Sequence, residues 1–201
     1  PYGYALDKTP VAFSVSSENA EEENLLTIVK VEKKNTAQKG KISVRKTGDI
    51  FTSVATASSA YTNENGEMIV NPTTYTPVFA DGDLSGAVFQ VIAVEDIITL
   101  DGTVRANAGD VVAEITTDEN GYAETEPLYL GKYEVREIKA PDGYVLNNKP
   151  KDVELTYAGQ EFEVRDTVNT AFENEYQGVR ISLSKVMEND ELFGIYGKEY
   201  Y

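Results

Sequence analysis

The chain of 201 residues contains no cysteine, no histidine and no tryptophan. Without cysteine there can be no disulfide bond and no thiolate nucleophile, and without histidine there can be no Ser-His-Asp triad. The two absences together remove the usual ligands of zinc and copper, so we expect no such metal site. An extracellular domain of this composition must be stabilised by its core or by some means other than disulfides.

Basic residues are scarce, because 18 Lys and Arg stand against 34 Asp and Glu and give a formal net charge of −16. Phosphate binding needs clustered Lys and Arg, so this balance argues against a nucleic-acid partner and against anionic membrane surfaces. Membrane insertion is also not expected, because no apolar run approaches the roughly 18 residues that a spanning helix needs. The charge indicates a solvated acidic surface that keeps the protein soluble.

What the chain does contain favours β-structure. Apolar residues make up 41% of the sequence, enough for a packed core, and 13 Tyr and 7 Phe supply the aromatic part. Val, Ile, Thr and Tyr alternate with polar residues between turns rich in Gly, Asp and Asn, and no stretch predicts a long amphipathic helix. We therefore predict an all-β fold of two packed sheets. The stretch 47–80 has the weakest pattern and is predicted to be either extra strands or a long surface insertion.

An internal repeat divides the chain. "PYGYALDKTP" at the start resembles "PDGYVLNNKP" at 141–150, and "KGKISVRKTGD" from residue 39 resembles "QGVRISLSKVMEND" from residue 177. A period near 139 residues is a whole domain rather than a short repeat unit. We interpret 38–175 as one complete unit, 1–37 as the last strands of a preceding unit and 176–201 as the first strand of a following one. Together with the start at Pro1 rather than Met, this predicts a piece of a longer protein.

Three polar residues each continue an apolar strand face: Lys46 follows Ile42 and Val44, Glu137 follows Tyr133 and Val135, and Asn174 follows Phe162, Val164, Val168 and Phe172. Each has an ordinary alternative, since a lysine at a strand end reaches solvent, a glutamate near a turn lies at an edge, and an asparagine forms a turn. The repeat argues against coincidence. Asn35 and Lys185 stand in the same phase in the two flanking units.

The motifs resemble a known family. "YEVREIKAPDGY" resembles the E-box of collagen-adhesin B-type repeats, also called SpaA-like pilin domains of Gram-positive surface proteins. "LSGAVFQV" resembles a further strand of that family, "GKISVRK" its opening strand and "AFENEYQG" its closing strand. The resemblance implies an Ig-like (prealbumin-like) β-sandwich of two antiparallel sheets. Two features depart from the family pattern: Ile138 stands where Thr is common, and the stretch between Lys46 and Leu84 is long.

The resemblance also implies a chemistry for the three polar residues. In such domains a lysine and an asparagine form an intramolecular isopeptide bond with the help of a buried glutamate, here Lys46, Asn174 and Glu137. Burial favours the neutral, nucleophilic amine, a carboxyl group beside it can relay protons, and folding supplies the proximity. The event is a single autocatalytic turnover, so we expect neither an enzyme nor a cofactor.

Three classes of function remain open at this point. The first is a structural stalk on the cell wall of a Gram-positive bacterium, with neighbouring repeats of the same protein as partners. The second is an adhesive module that binds a host protein or glycan, and the third is a hydrolase with paired carboxylates. The incomplete terminal units further suggest head-to-tail self-association by strand addition, in which Asn35 meets Lys185 without an E-box glutamate.

Overall fold

The structure, a computed structural model, describes residues 1–16, 21–23 and 26–182. These residues form strands and turns without a helix, and therefore without any helix that could cross a membrane. The strands are β1 (Glu21–Glu23), β2 (Leu26–Ile28), β3 (Lys39–Gly40), β4 (Ile42–Ala57), β5 (Ala60–Thr62), β6 (Met68–Val70), β7 (Thr74–Asp83), β8 (Val88–Ala93), β9 (Ile97–Ile98), β10 (Val104–Ala106), β11 (Val111–Thr116), β12 (Tyr122–Glu124), β13 (Leu128–Tyr129), β14 (Gly131–Lys139), β15 (Lys151–Leu155) and β16 (Val168–Asn174).

Two sheets form the central body. One is fully antiparallel, in the order β11-β8-β14-β15. The other has the order β12-β4-β16, with β7 also paired to β4. The predicted all-β sandwich is thus confirmed, with one refinement: β4 and β16, the first and last long strands of the body, run parallel to each other.

The core lies between these two sheets, because alternate residues of each strand point inward. The rings of Phe89 from one sheet and Phe172 from the other meet with centroids 4.8 Å apart. The strand β8 shows the alternation clearly, since Phe89, Val91 and Ala93 are buried and the residues between them are half-buried. The core therefore joins the sheet that carries β14 to the sheet that carries β4 and β16.

The last strand is shorter than the sequence pattern predicts. It begins at Val168, whereas Phe162 and Val164 precede it in an irregular segment and are exposed. In this segment Lys39 donates its N–H to Glu163 O and accepts from the N–H of Arg165, so the backbone is held by β3 instead of by the long ladder of β4. The inward face of β16 consists of Val168, Thr170, Phe172 and Asn174.

The stretch 47–80 forms extra strands, as one of the two expectations had it. The strand β4 continues past Gly48 to Ala57 and pairs antiparallel with β7, while β5 and β6 form a hairpin beyond them. Most side chains of this ribbon are exposed. We call residues 50–80 the arm.

Candidate cross-linking site

Lys46 lies on the buried face of β4 and is 0% exposed. Its neighbours Val44 on the same face and Phe172 on β16 are also buried, so a charged ammonium group has little solvent around it. Burial lowers the pKa of Lys46 from 10.5 to about 8, while the charges of Glu137 and Glu173 oppose part of this shift. The amine Nζ donates a 3.1 Å hydrogen bond to the carbonyl of Thr47. The amine is therefore much closer to its neutral, nucleophilic form at ordinary pH than an exposed lysine is.

Asn174 lies at the end of β16, directly beside the strand that carries Lys46. The parallel register pairs Phe172 with Lys46 and Asn174 with Gly48. Because residues two apart on a strand share a face, Lys46 and Asn174 both point into the sandwich. Asn174 is 4% exposed. The parallel pairing thus brings the first and last long strands together at this point.

Glu137 reaches the same place from the opposite sheet. It continues the buried face of Tyr133 and Val135 on β14 and is 2% exposed. A β-bulge follows it, since Glu137 pairs with Phe89 while Lys139 pairs with Val88. The bulge places Ile138 outward, where it is exposed, and ends the regular ladder at the carboxylate. Bulges of this kind aim a side chain where a regular strand would not.

The carboxylate of Glu137 makes two hydrogen bonds. Its Oε1 accepts from Nδ2 of Asn174 at 2.9 Å, and its Oε2 accepts from the backbone N–H of Asn147 at 2.7 Å. The structure therefore brings Glu137 and Asn174 into direct contact and places Lys46 on the adjacent strand.

Asn147 is a residue that the sequence did not single out. Besides its backbone contact with Glu137, its side-chain Nδ2 donates to the carbonyl of Glu173 at 3.0 Å. Asn147 thus holds the segment after the E-box against the end of β16. The sequence offers one retrospective signal, the position of Asn147 just after the "PDGY" turn that the repeat preserves.

Among the residues that the structure describes, one buried side-chain atom lacks a partner, since Oδ1 of Asn174 has no hydrogen bond. An unsatisfied buried polar oxygen costs about 1–3 kcal/mol. Glu137 faces the amide nitrogen of Asn174 and not this oxygen. Turning the amide by half a rotation would let a protonated Glu137 donate to Oδ1.

Of the two predicted partial sites, Asn35 is not brought together with these residues. Asn35 is half-buried near Pro1, Tyr4 and Leu100 at the other end of the body. Lys185 lies outside the described residues. The expectation that Asn35 meets a Lys185 therefore stays a prediction. No group of three or more acidic residues suited to a metal ion occurs within the described ranges.

The central part of the chain is similar to a known domain family. Residues 79–170 match the family model described as SpaA, a prealbumin-like fold domain. This confirms the resemblance to SpaA-like pilin domains that the E-box indicates. Glu137 lies inside the matched stretch, whereas Lys46 and Asn174 lie outside it on either side.

Individual relatives are surface and pilus proteins. The trypsin-resistant surface T6 protein of Streptococcus pyogenes is 31% identical over 80 residues, which cover 40% of this chain and 14% of that protein. The full-length major pilin SpaD of Corynebacterium diphtheriae has a TM-score of 0.40 at 20% identity and covers 69% of this chain and 30% of its own. A minor pilin of Streptococcus agalactiae has a TM-score of 0.41 at 15% identity, and the match covers 75% of this chain and 50% of that pilin. The chain thus spans half or less of the length of these relatives.

Proposed function

We propose that this chain is a structural stalk repeat of a Gram-positive surface protein, closed by an autocatalytic isopeptide bond between Lys46 and Asn174. The observation that carries the proposal is the contact of Glu137 with Asn174 beside a fully buried lysine on the adjacent strand. A buried lysine, carboxylate and amide are costly to retain unless they serve a purpose, because each loses its hydration. Bond formation removes the buried amine as a titrating group.

The reaction balances without any further reagent. The neutral Nζ of Lys46 attacks Cγ of Asn174, and a tetrahedral intermediate forms. Glu137 takes a proton from the attacking nitrogen and gives one to Nδ2, with which it already shares a hydrogen bond. The C–N bond to Nδ2 then breaks, ammonia leaves, and a secondary amide remains between Lys46 and residue 174.

The departing ammonia has a short route to solvent. A shallow pocket of about 250 Å³ opens beside Asn174, lined by residues 145–149 and 173–175. Asn147 stands in this pocket and also binds Glu137 through its backbone. We assign Asn147 as a positioning residue that keeps the carboxylate directed at the amide.

The bond would have a mechanical role. It joins the first long strand of the body to the last, so a pull on the two ends would load a covalent link instead of a ladder of hydrogen bonds. It also closes a loop of well over a hundred residues and, by analogy with a disulfide, stabilises the fold by about 4–5 kcal/mol. A chain without cysteine would gain in this way what others gain from disulfides.

The location and partners follow from the same proposal. The streptococcal relative is a surface protein, which supports an extracellular position, attached to the cell wall through parts of the protein outside this chain. The partners are then neighbouring repeats of the same protein, and strand addition between copies is a further way for the ends to pair. The chemistry uses only side chains of this chain and needs no cofactor.

The first test is the intact mass of the denatured chain. We expect the wild type to be lighter than its sequence by one ammonia and the Lys46→Met variant to have its full sequence mass. Lys41→Met is the matched control, because Lys41 lies five residues away and pairs with Glu124 outside the site. A wild-type mass equal to the sequence mass would refute the cross-link.

A second pair of variants tests the role of Glu137. Glu137→Gln keeps the size of the side chain but cannot relay protons, so we expect the full sequence mass. Glu173→Gln changes the next acidic neighbour of Lys46, which contributes charge but no hydrogen bond to Asn174. This variant should still lose ammonia. Loss of ammonia in both variants would show that Glu137 is not needed.

The adhesive alternative has one observation in its favour. The arm presents the exposed aromatic side chains Phe51, Tyr61 and Tyr75, and exposed aromatic patches mark interaction sites. It predicts that the chain binds an immobilised host matrix protein and that a chain with a shortened arm does not. Equal binding, or no binding, by both chains would count against the adhesive alternative.

A further inference from the structure

The same turn occurs twice in this chain and makes the same three backbone hydrogen bonds. In the first copy Tyr4 N–H donates to Pro1 O, Ala5 N–H to Thr36 O and Gln38 N–H to Gly3 O. In the second copy the pairs are Tyr144 to Pro141, Val145 to Glu175 and Gln177 to Gly143. Both central glycines have positive φ, 78° and 87°, which favours glycine. The sequence repeat is therefore also a structural repeat.

The two copies lie at opposite ends of the body and touch different elements. The second turn touches the base of the arm, because the hydroxyl of Tyr144 donates to Asp49 O at 2.7 Å. Next to it, the ring of Tyr176 stacks on Phe79 of the arm at 4.4 Å. The first turn touches the hairpin of β9 and β10, because the hydroxyl of Tyr4 accepts from Asp101 N–H at 3.3 Å.

These two sets of contacts describe two sides of one junction. Tyr144 shows what surrounds the turn within its own repeat, and Tyr4 shows what surrounds it in the repeat that follows. When the two turns are taken as equivalent, the arm of one repeat and the β9–β10 hairpin of the next meet at the same tyrosine. We infer that the arm packs against the β9–β10 hairpin of the following repeat and fixes the angle between the two. The inference rests on the proposed function as a stalk repeat.

The direction of the arm agrees with this. The strands β4 and β16 run parallel, and Gly48 lies level with Asn174, where β16 ends. Beyond that level β4 continues to Ala57, about 30 Å at the usual rise per residue. The arm thus extends in the same direction as the chain that leaves the body, and Tyr176 lies along its base.

One edge of the arm is open on the side where a following repeat would stand. Within the described residues, β16 pairs with β4 only as far as Gly48, and no other strand takes its place alongside β4 from residue 50 to 57. An open strand edge presents unpaired backbone N–H and C=O groups, with which a neighbouring chain can form hydrogen bonds. The following repeat is the nearest candidate because the chain itself delivers it there.

The charge and the polarity of the arm are compatible with the β9–β10 hairpin of the following repeat as its partner. Residues 50–80 contain only two charged residues, Glu64 and Glu67, although the whole chain has a net charge of −16. The arm can therefore lie against an acidic neighbour without strong repulsion. Its exposed apolar side chains are Ile50, Phe51, Val54, Tyr61, Met68, Ile69, Val70, Tyr75 and Val78. The hairpin offers exposed Ile98, Leu100 and Val104 in return.

A tandem chain tests the inference. Residues 1–176 are joined to residues 38–201, because Tyr176 and Ala37 occupy equivalent places and both copies then keep their register. One cysteine is placed on the arm of the first copy, at Val54→Cys or Val78→Cys, which lie on opposite faces of the ribbon. A second is placed in the hairpin of the second copy, at Leu100→Cys. The natural chain has no cysteine, so the pair can be followed without background.

The readout is the rate of disulfide formation under mild oxidation. Each arm cysteine is compared with a control in which the second cysteine is at Glu114→Cys, an exposed position on β11 outside the hairpin. Packing of the arm on the hairpin should raise the local concentration of one thiol near the other, and one of the two arm positions should react at least about tenfold faster than its control. Rates equal to the control at both positions would overturn the inference and leave the arm facing solvent.

The intact mass of the same tandem separates the two proposals. A loss of two ammonia molecules shows that both copies are folded and cross-linked, whatever the arm does. Fast disulfide formation without any loss of ammonia would support the junction and refute the isopeptide bond. As a second measurement, residues 53–77 are replaced by an Asn-Gly turn that closes β4 on β7. Small-angle scattering should then show a wider spread of distances between the copies, and an unchanged spread would contradict the inference.

Discussion

The strand β4 has two halves that share an extended backbone but differ in their neighbouring strands and in the exposure of their side chains. From Ile42 to Gly48 it lies inside a sheet, with β16 on one side and β12 on the other, and Ile42 and Val44 are fully buried. From Asp49 to Ala57 it has a single partner, β7, and its side chains are exposed. Both halves have β-branched residues at regular spacing. A strand is therefore buried by the elements that pack around it, and its own pattern of apolar residues does not suffice.

The largest difference in stability between variants of the two halves should come from replacing the nucleophile Lys46. Lys46→Met keeps a long side chain in the buried half but removes the cross-link, and we expect the free energy of unfolding to fall by about 4–5 kcal/mol. Thr56→Met in the exposed half should change it by less than about 0.5 kcal/mol. Urea unfolding of both variants beside the wild type measures the difference. Equal midpoints for Lys46→Met and the wild type would mean that the bond contributes no stability.

The second-largest difference in stability should come from truncating one valine in each half of β4. Val44→Ala opens a cavity in the core and should cost about 1.5–3 kcal/mol of stability. Val54→Ala removes the same atoms from an exposed side chain and should cost less than about 0.5 kcal/mol. Thermal unfolding of the single chain tests both variants. A similar loss at the two positions would show that the arm is covered in solution, for example by a second copy.

Two glycines give a third comparison, based on close approach. A Cβ at Gly48 would lie 2.5 Å from the backbone oxygen of Asn174, whereas a Cβ at Gly82 would lie 2.5 Å from Cδ1 of Ile50. The first obstacle is main chain in the cross-linking site, and the second is the tip of an exposed side chain that can move. Gly48→Ala should therefore cost about 1–3 kcal/mol and slow the loss of ammonia. Gly82→Ala should do neither, as unfolding and time-resolved mass measurements would show.

The smallest effect concerns pH and the free amine. In the Asn174→Ala variant Lys46 stays unlinked, with its pKa lowered from 10.5 to about 8 by burial. At pH values between about 8 and 10.5, Lys46 of the unfolded chain holds a proton that Lys46 of the folded chain has lost. The free energy of unfolding therefore rises with pH in that range. The gain between pH 7.5 and pH 9 should be about 1 kcal/mol. The Asn174→Ala, Lys46→Met double variant should lack this rise, and a rise of equal size in both would assign it to another group.

Much of the site could be predicted because its residues interrupt a simple pattern. Glu137 stands in phase with Tyr133 and Val135, and the structure buries all three. Because side chains along a strand alternate between its two faces, the buried face can be predicted without knowing the partner strand. Lys46 and Asn174 could be recognised in the same way, and the repeat reduced the chance of coincidence. Their chemical linkage stays a prediction.

Other features could not be predicted because they depend on contacts between distant segments. The start of β16 at Val168 is set by the bonds of Lys39 to Glu163 and Arg165, which no local pattern reveals. The role of Asn147 depends on where a turn places one backbone N–H relative to Glu137. The sequence of the arm does not distinguish extra strands from a surface insertion, because an exposed ribbon has no buried face to impose a pattern.

The amino-acid sequence by itself determined that this protein is an all-β domain without disulfides or histidine chemistry, with three polar residues aimed inward and two pairs of similar motifs about 139 residues apart. These properties follow from composition and from the period of two along each strand. Only the tertiary structure decided that β4 and β16 run parallel, so that Lys46 and Asn174 lie on adjacent strands, Glu137 contacts Asn174 from the opposite sheet, and the arm extends along the departing chain. Strand direction and register are settled by packing between segments far apart in the chain, and a single strand carries no record of them.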